Sequence, residues 1–191
     1  MTDKENNIMK SIDIAYHLLK KSIKLGQEEP KYYMDFIKLH KLMFLAQCYL
    51  NYEYGLNLFD ECITANEDGP FVNGINAIPA ICGFGEIKTI DELNSYLNDM
   101  MPFHINHRLP LPALRDETCD LILDMYGKYN TLEIVKLSKN TIAYNYSYSE
   151  NSRNVITKAL LTKTGEEIYN MHKQEKNVSV LTKKLTPSNN K

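Results

Sequence analysis

The chain of 191 residues contains no tryptophan, and no apolar run in it approaches the roughly 20 residues that a membrane-crossing helix needs. It contains no C-x-x-C pair. Its four cysteines, Cys48, Cys62, Cys82 and Cys119, lie far apart, and the simplest expectation is four reduced, buried thiols that pack as small hydrophobes. The phosphate loop G-x-x-x-x-G-K-[ST], the nucleophile elbow G-x-S-x-G and the zinc motif H-E-x-x-H are all absent. Gly83-Phe84-Gly85 is only a fragment of a dinucleotide fingerprint, with no Val/Ile-rich strand before it. His104 and His107 lie between Pro102 and Pro110 with no cysteine or acid at ligand spacing, so neither a metal nor another cofactor is expected. The first residues, "MTDKENNIMK", are polar and carry both signs of charge. They lack the basic start, apolar middle and cleavage site of a secretory signal, which points to the cytoplasm and away from a membrane partner.

Hydrophobic residues make up 43% of the chain, enough to bury a sizeable core. Net charge is −2, but residues 176–191 hold four lysines and no acid, so the remainder carries −6. A body of that sign repels phosphate backbones, argues against a broad nucleic-acid surface and suits a basic protein partner.

The periodicity is largely helical. Ile8, Ile12, Ala15, Leu19 and Ile23 form one stripe over 8–25, with Gly26 placed as a C-terminal cap. From Asp35, a natural N-cap, to Tyr54 runs the longest pattern. Leu39, Leu42, Met43, Ala46, Tyr49 and Leu50 make its main face, while Phe36, Ile37, Phe44, Leu45 and Cys48 spread apolarity round the others. Such a helix is central, packed on several sides, and Gly55 ends it. Residues 56–66 lose the period of 3.6 and read as short extended segments or a small hairpin. Gly69-Pro70 then reads as a strand-to-helix turn, with Pro70 at the first helical position. A stripe of Phe71, Ile75, Ile78 and Cys82 follows, kinked at Pro79.

Further helices are expected at 89–100, capped by Asp91, and at 118–129, with Cys119, Ile122, Leu123, Tyr126 and Tyr129 facing inward. Another follows at 132–140, capped by Thr131. Residues 102–112, with three prolines, and 143–154 read as loops, and 155–161 are ambiguous between strand and helix. Thr164 to Glu167 has capping-box spacing, which starts a last helix there and runs it to about Lys176. The expected whole is a mainly α, compact helical bundle with a small antiparallel β element before the Gly69-Pro70 turn. It forms one domain over 8–176, with a flexible basic tail over 177–191.

Several pieces in order resemble the family of phage-associated proteins typified by the SocA-like antitoxins, also called the Panacea antitoxin domain. Leu39-His40-Lys41-Leu42 followed by Phe44 and Ala46 matches the family's helical core. The stretch Gly55 to Phe59 matches its next segment. Ala65 ahead of Gly69, Pro70 and Phe71 matches its Gly-Pro hallmark, and Tyr126, Gly127 and Thr131 match a later Tyr-Gly before a capped helix. The likeness covers roughly residues 10–140. The chain departs from the pattern at Asn66, where members often carry an aromatic residue, and in the C-terminal third. The resemblance implies an all-helical core with a small β element and a bacterial or prophage origin. It also implies work as an antitoxin that binds and neutralises a toxin protein encoded beside it.

On this reading the protein is a non-enzymatic binding protein whose partner surface is Glu61, Glu67, Asp68, Gly69 and Pro70. The bend would hold the acids rigid to steer a basic toxin, with Phe71 anchored in the core. Two alternatives stay open. One is a DNA-binding regulator using a winged-helix-like segment, 155–176, with the basic tail. The other is a hydrolase using the acid cluster with His40 or His104. Association with a second copy is also open.

Overall fold

Residues 36–54 have no polar face to offer to water, and the fold is organised round that fact. The computed structural model describes residues 9–75, 85–100, 110–149 and 154–185, with side chains described outside 96–100 and 175–185. The described residues form a mainly α fold of seven α-helices and one three-stranded antiparallel sheet. The helices are α1 (Ser11–Glu28), α2 (Phe36–Tyr54), α3 (Ile90–Met100), α4 (Ala113–Tyr126), α5 (Thr131–Lys139), α6 (Ile142–Ser147) and α7 (Lys158–Leu185). The strands are β1 (Ile63–Asn66), β2 (Gly69–Val72) and β3 (Asn154–Val155), in the order β2-β1-β3. Among the described residues, no helix is long and apolar enough to cross a membrane.

The helix α2 is the axis. Every residue from Lys38 to Asn51 is buried, and α1, α4, α5, α7 and β2 all pack on it. Asp35 caps its start by accepting from the Lys38 N–H at 2.7 Å, and Gly55 ends it in the left-handed region at φ 67°. The closest approach is to α7. A Cβ added at Gly165 would lie 2.0 Å from the Cys48 carbonyl oxygen, so only glycine lets the two backbones meet there.

Several expectations are corrected. Gly26 is not a cap; α1 runs through it to Glu28, and it is buried against the ring of Tyr33. Thr89, not Asp91, caps α3, its hydroxyl accepting from the Glu92 N–H at 3.1 Å. The next helix begins at Ala113, and Tyr129 is 41% exposed and faces outward. Asn130, not Thr131, caps α5, in a reciprocal box with Glu133. Residues 142–147 are helix because Thr141 caps them, accepting from the Tyr144 N–H. The ambiguous segment splits into β3 and the start of α7. Thr164 begins nothing: α7 runs straight through it, and its hydroxyl accepts instead from the Ala143 N–H at 3.0 Å. The capping-box spacing there is a coincidence of a helix interior. The same helix continues past Lys176 to Leu185. Cys48 and Cys119 are buried, Cys62 is exposed, and Cys82 lies outside the described residues. Ile78, Pro79 and residues 102–109, with both histidines, also lie outside them.

The contact at Gly165 generates a prediction. Replacing it by Ala pushes a methyl into backbone that cannot yield as a side-chain tip would. Gly165→Ala should cost about 2–3 kcal/mol in urea unfolding, the upper part of the overpacking range. Gly85→Ala, where a Cβ meets nothing within 4 Å, should stay within about 0.5 kcal/mol of the parent.

Candidate functional site: a pinned acidic hairpin tip

The Gly69-Pro70 stretch is a strand, not the start of a helix. β1 and β2 pair as a hairpin, Ala65 opposite Pro70 and Asn66 opposite Gly69, which leaves Glu67 and Asp68 as a two-residue turn. Gly69 has φ 99°, a conformation that glycine adopts freely and other residues rarely. It is also crowded: an added Cβ would lie 3.2 Å from Cε of Lys41 and 3.3 Å from Cγ of Lys139. Pro70 has no N–H for a ladder, and it sits where that does no harm, on the edge strand of the sheet.

Side chains from three helices hold this tip from beneath. The Lys41 ammonium of α2 donates to the Pro70 carbonyl at 2.9 Å. Lys139, the last residue of α5, donates to the Glu67 carbonyl at 2.9 Å and lies 5.8 Å from the centre of the Tyr144 ring. The Tyr144 hydroxyl of α6 donates to the Asn66 carbonyl at 2.9 Å, and more weakly to that of Glu67. Three helices, α2, α5 and α6, thus spend donors on main-chain oxygens of one hairpin end. The acid side chains take no part in these hydrogen bonds. Glu67 and Asp68 are exposed, whereas Gly69 and Pro70 are buried.

The next residues of β2 are fixed as firmly. The Val72 N–H donates to Nδ1 of His40 at 2.9 Å, which places the proton of the neutral ring on Nε2. The His40 imidazole stacks on Phe71 at 3.8 Å between centres and meets Phe36 edge to face at 4.3 Å. His40 is 1% exposed, and burial, aided by the neighbouring Lys41 charge, pushes its pKa down to about 2. Burial likewise lowers Lys41 to about 8; the Asp68 carboxylate opposes this and Lys139 adds to it.

The five residues expected to form one partner surface are not brought together as such. Glu67 and Asp68 share the tip. Gly69 and Pro70 lie under it and position it. Glu61 precedes the other end of β1, and its carboxylate accepts from the Ser11 N–H at 2.8 Å, closing the start of α1. Gly74 packs against that junction, since an added Cβ would lie 2.0 Å from the Ser11 hydroxyl oxygen. The three acids therefore do not form a carboxylate pair for acid–base work, and His40 is sealed beneath Phe71. Among the described residues, no three His, Cys, Asp or Glu side chains gather as a metal site. The segment offered as winged-helix-like, 155–176, begins at the last residue of β3 and from Lys158 is unbroken α7.

Reading the sequence for apolar stripes missed the polar residues that do the holding: Lys38, His40, Lys41, Lys139 and Tyr144. The signal for three of them is nonetheless present. A polar residue in a helix that is apolar on every face has nowhere to go but inside, and "KLHKL" at 38–42 puts three there. Lys139 and Tyr144 carry no comparable signal. Comparison with protein-family models, with curated proteins and with solved structures finds no match to this chain.

The buried Lys41 sets a pH dependence. Its folded pKa, about 8, lies below the ordinary 10.5. Between those values the unfolded chain binds the proton that the folded chain has lost, so stability rises with pH across that window. Below about pH 8 the charged amine is held at a cost. The difference of about 2.5 pH units corresponds to about 3 kcal/mol. Lys41→Met has no such group. The stability of the parent relative to that variant should therefore improve by about 3 kcal/mol between pH 7.5 and pH 10.5, measured by urea unfolding. A pH-independent difference would show that the amine keeps an ordinary pKa in the fold.

Proposed function

We propose that this protein is a non-enzymatic, protein-binding antitoxin that neutralises a toxin protein encoded beside it, as the resemblance of its ordered motifs implies. The observation that carries the reading is the hairpin tip. Its carbonyls at Asn66, Glu67 and Pro70 are taken by Tyr144, Lys139 and Lys41, and its two carboxylates are turned to solvent. A turn held in this way has little freedom left to lose on association, so charge presented there is preorganised. Two adjacent carboxylates on a rigid tip attract a basic surface and speed the encounter, and their removal acts on association before it acts on fold. The partner surface is narrowed to Glu67 and Asp68. Gly69 and Pro70 shape it, and Glu61 serves the α1 junction.

The test is co-expression with the product of the neighbouring gene. The parent chain should capture that product and restore growth. The double reversal Glu67→Lys with Asp68→Lys should weaken capture at least about tenfold, equivalent to about 1.4 kcal/mol. Its unfolding free energy should fall by no more than about 1 kcal/mol, because both side chains are exposed and only Asp68 acts on the charge of Lys41. Glu61→Ala, which removes the acceptor of the Ser11 N–H, should do the reverse, lowering stability and leaving capture intact. Undiminished capture by the reversal removes the tip from the interface. Failure of the parent to bind or to rescue removes the antitoxin reading itself.

A further inference from the structure

A second surface shares no residue with the hairpin tip. α5 and α7 each pack on α2 but hardly on one another, so a cleft of about 570 Å³ stays open between them. Its floor is Leu45 of α2, and its apolar walls are Leu137 of α5 with Ile168 and Met171 of α7. That volume falls within the range of clefts that hold ligands, about 300–1,000 Å³.

The walls do not close over the gap because each is anchored elsewhere. Gly165 locks α7 to the Cys48 carbonyl. At the other wall, Thr131 donates its hydroxyl proton to Asp35, and the Asn130–Glu133 box fixes the first turn of α5. Met171 is consequently left 44% exposed at the mouth.

The hydroxyls on the floor are already used, and the other uncharged polar side chain of the lining, Asn140, stands exposed at the edge. The Thr164 hydroxyl accepts from the Ala143 N–H, and the Thr141 hydroxyl donates to the Ser138 carbonyl. A small polar molecule would find its donors and acceptors unmatched there, whereas apolar side chains lose nothing. On the rim stand two carboxylates, Glu133 on α5 and Glu167 on α7, against one amine, Lys136. The groove is thus apolar within and carries one net negative charge on its rim, Glu133 and Lys136 balancing on the α5 bank and Glu167 standing on the α7 bank.

We propose that this cleft is a docking groove for one amphipathic helix of a protein partner, with apolar anchors a turn apart and Lys or Arg beside them. The shape favours a helix. Two helices lying on a third leave the position that a further helix fills in a bundle, and α5 spans about 13 Å, room for anchors at i, i+4 and i+7, which span about 10 Å. The charge favours basic flanks, which would pair with Glu167 on the α7 bank. A second copy of this chain, whose residues 176–191 hold four lysines, is the competing occupant that the dimer outcome below tests. The proposal goes beyond the antitoxin reading and does not depend on it.

Two fluorescein-labelled model helices of equal length test it, one built from Leu and Lys and the other from Leu and Glu. The Leu/Lys helix should bind the full chain at least about tenfold more tightly than the Leu/Glu helix, by fluorescence anisotropy. Met171→Arg, at an exposed position, should abolish binding without loss of fold. Glu133→Gln with Glu167→Gln should reduce the preference for Leu/Lys, and Gln at 133 preserves the helix cap. The tip reversal Glu67→Lys with Asp68→Lys should leave peptide binding unchanged, which separates this test from that of the hairpin. Equal binding of the two helices, binding that survives Met171→Arg, or a concentration-dependent dimer that Met171→Arg dissolves would each overturn the proposal.

Discussion

The protein depends on a helix with no outside. α2 is buried from Lys38 to Asn51, and its polar side chains cannot reach water, so each must find a partner in the chain. Those partners are main-chain groups of the irregular segments. Lys38 donates to the carbonyls of Lys31, Tyr33 and Gly127. His40 accepts from Val72, and Lys41 donates to Pro70. The Gln47 side-chain oxygen accepts from the N–H groups of Leu58 and Phe59. The loop before α2, the turn after α4, the segment after α2 and the hairpin are thus all fastened to one helix. The leucines of α2 hold the other helices; Lys38, His40, Lys41 and Gln47 hold these four non-helical segments.

That arrangement has opposing energetic terms. A hydrogen bond between buried partners contributes about 1 kcal/mol net, whereas leaving one of them unpaired costs about 1–3 kcal/mol. The bonds from α2 are therefore stronger as constraints than as sources of stability, because any other placement of the hairpin leaves a buried amine or imidazole stranded. For Lys41 the cost of burying charge outweighs the attraction of the Asp68 carboxylate, as the downward shift of its pKa shows. The hairpin gains a fixed position at the expense of stability.

How much of this was legible follows from which signals are local. The apolar periodicity of α1, α2 and α4 fixed their presence, and the all-round greasiness of residues 36–54 marked α2 as central. The extended segments after Gly55 were visible as a loss of period. Gly69-Pro70 misled because proline suits a helix start and an edge strand equally. Only the pairing of Asn66 with Gly69 decides between them, and that pairing needs the opposite strand. Thr164 misled for a similar reason: a Thr-x-x-Glu spacing signals a helix start only if the preceding residues are not helical. The hydroxyl that would have capped a start instead reaches the N–H of Ala143, far away in sequence. The acid cluster dissolved because a strand separates Glu61 from the turn, and no composition count registers that. The site was half legible: the acids were seen, and the lysines and tyrosine that present them were not.

Both surfaces meet at α5, which raises the question of whether they influence one another. Lys139 at its end tethers the hairpin tip, while Glu133, Lys136 and Leu137 border the cleft. Coupling between sites requires an element with two arrangements, each favoured by one ligand. α5 does not offer one. Its first turn is held by the Asn130–Glu133 box and the Thr131–Asp35 bond, its middle by buried Ile134, and its last residue by the hairpin. A helix of this length held at both ends and the middle has no second resting place that keeps these contacts. Occupation of the cleft is then a separate event from contact at the tip, and a partner that engages both gains by joining two sites on one rigid body.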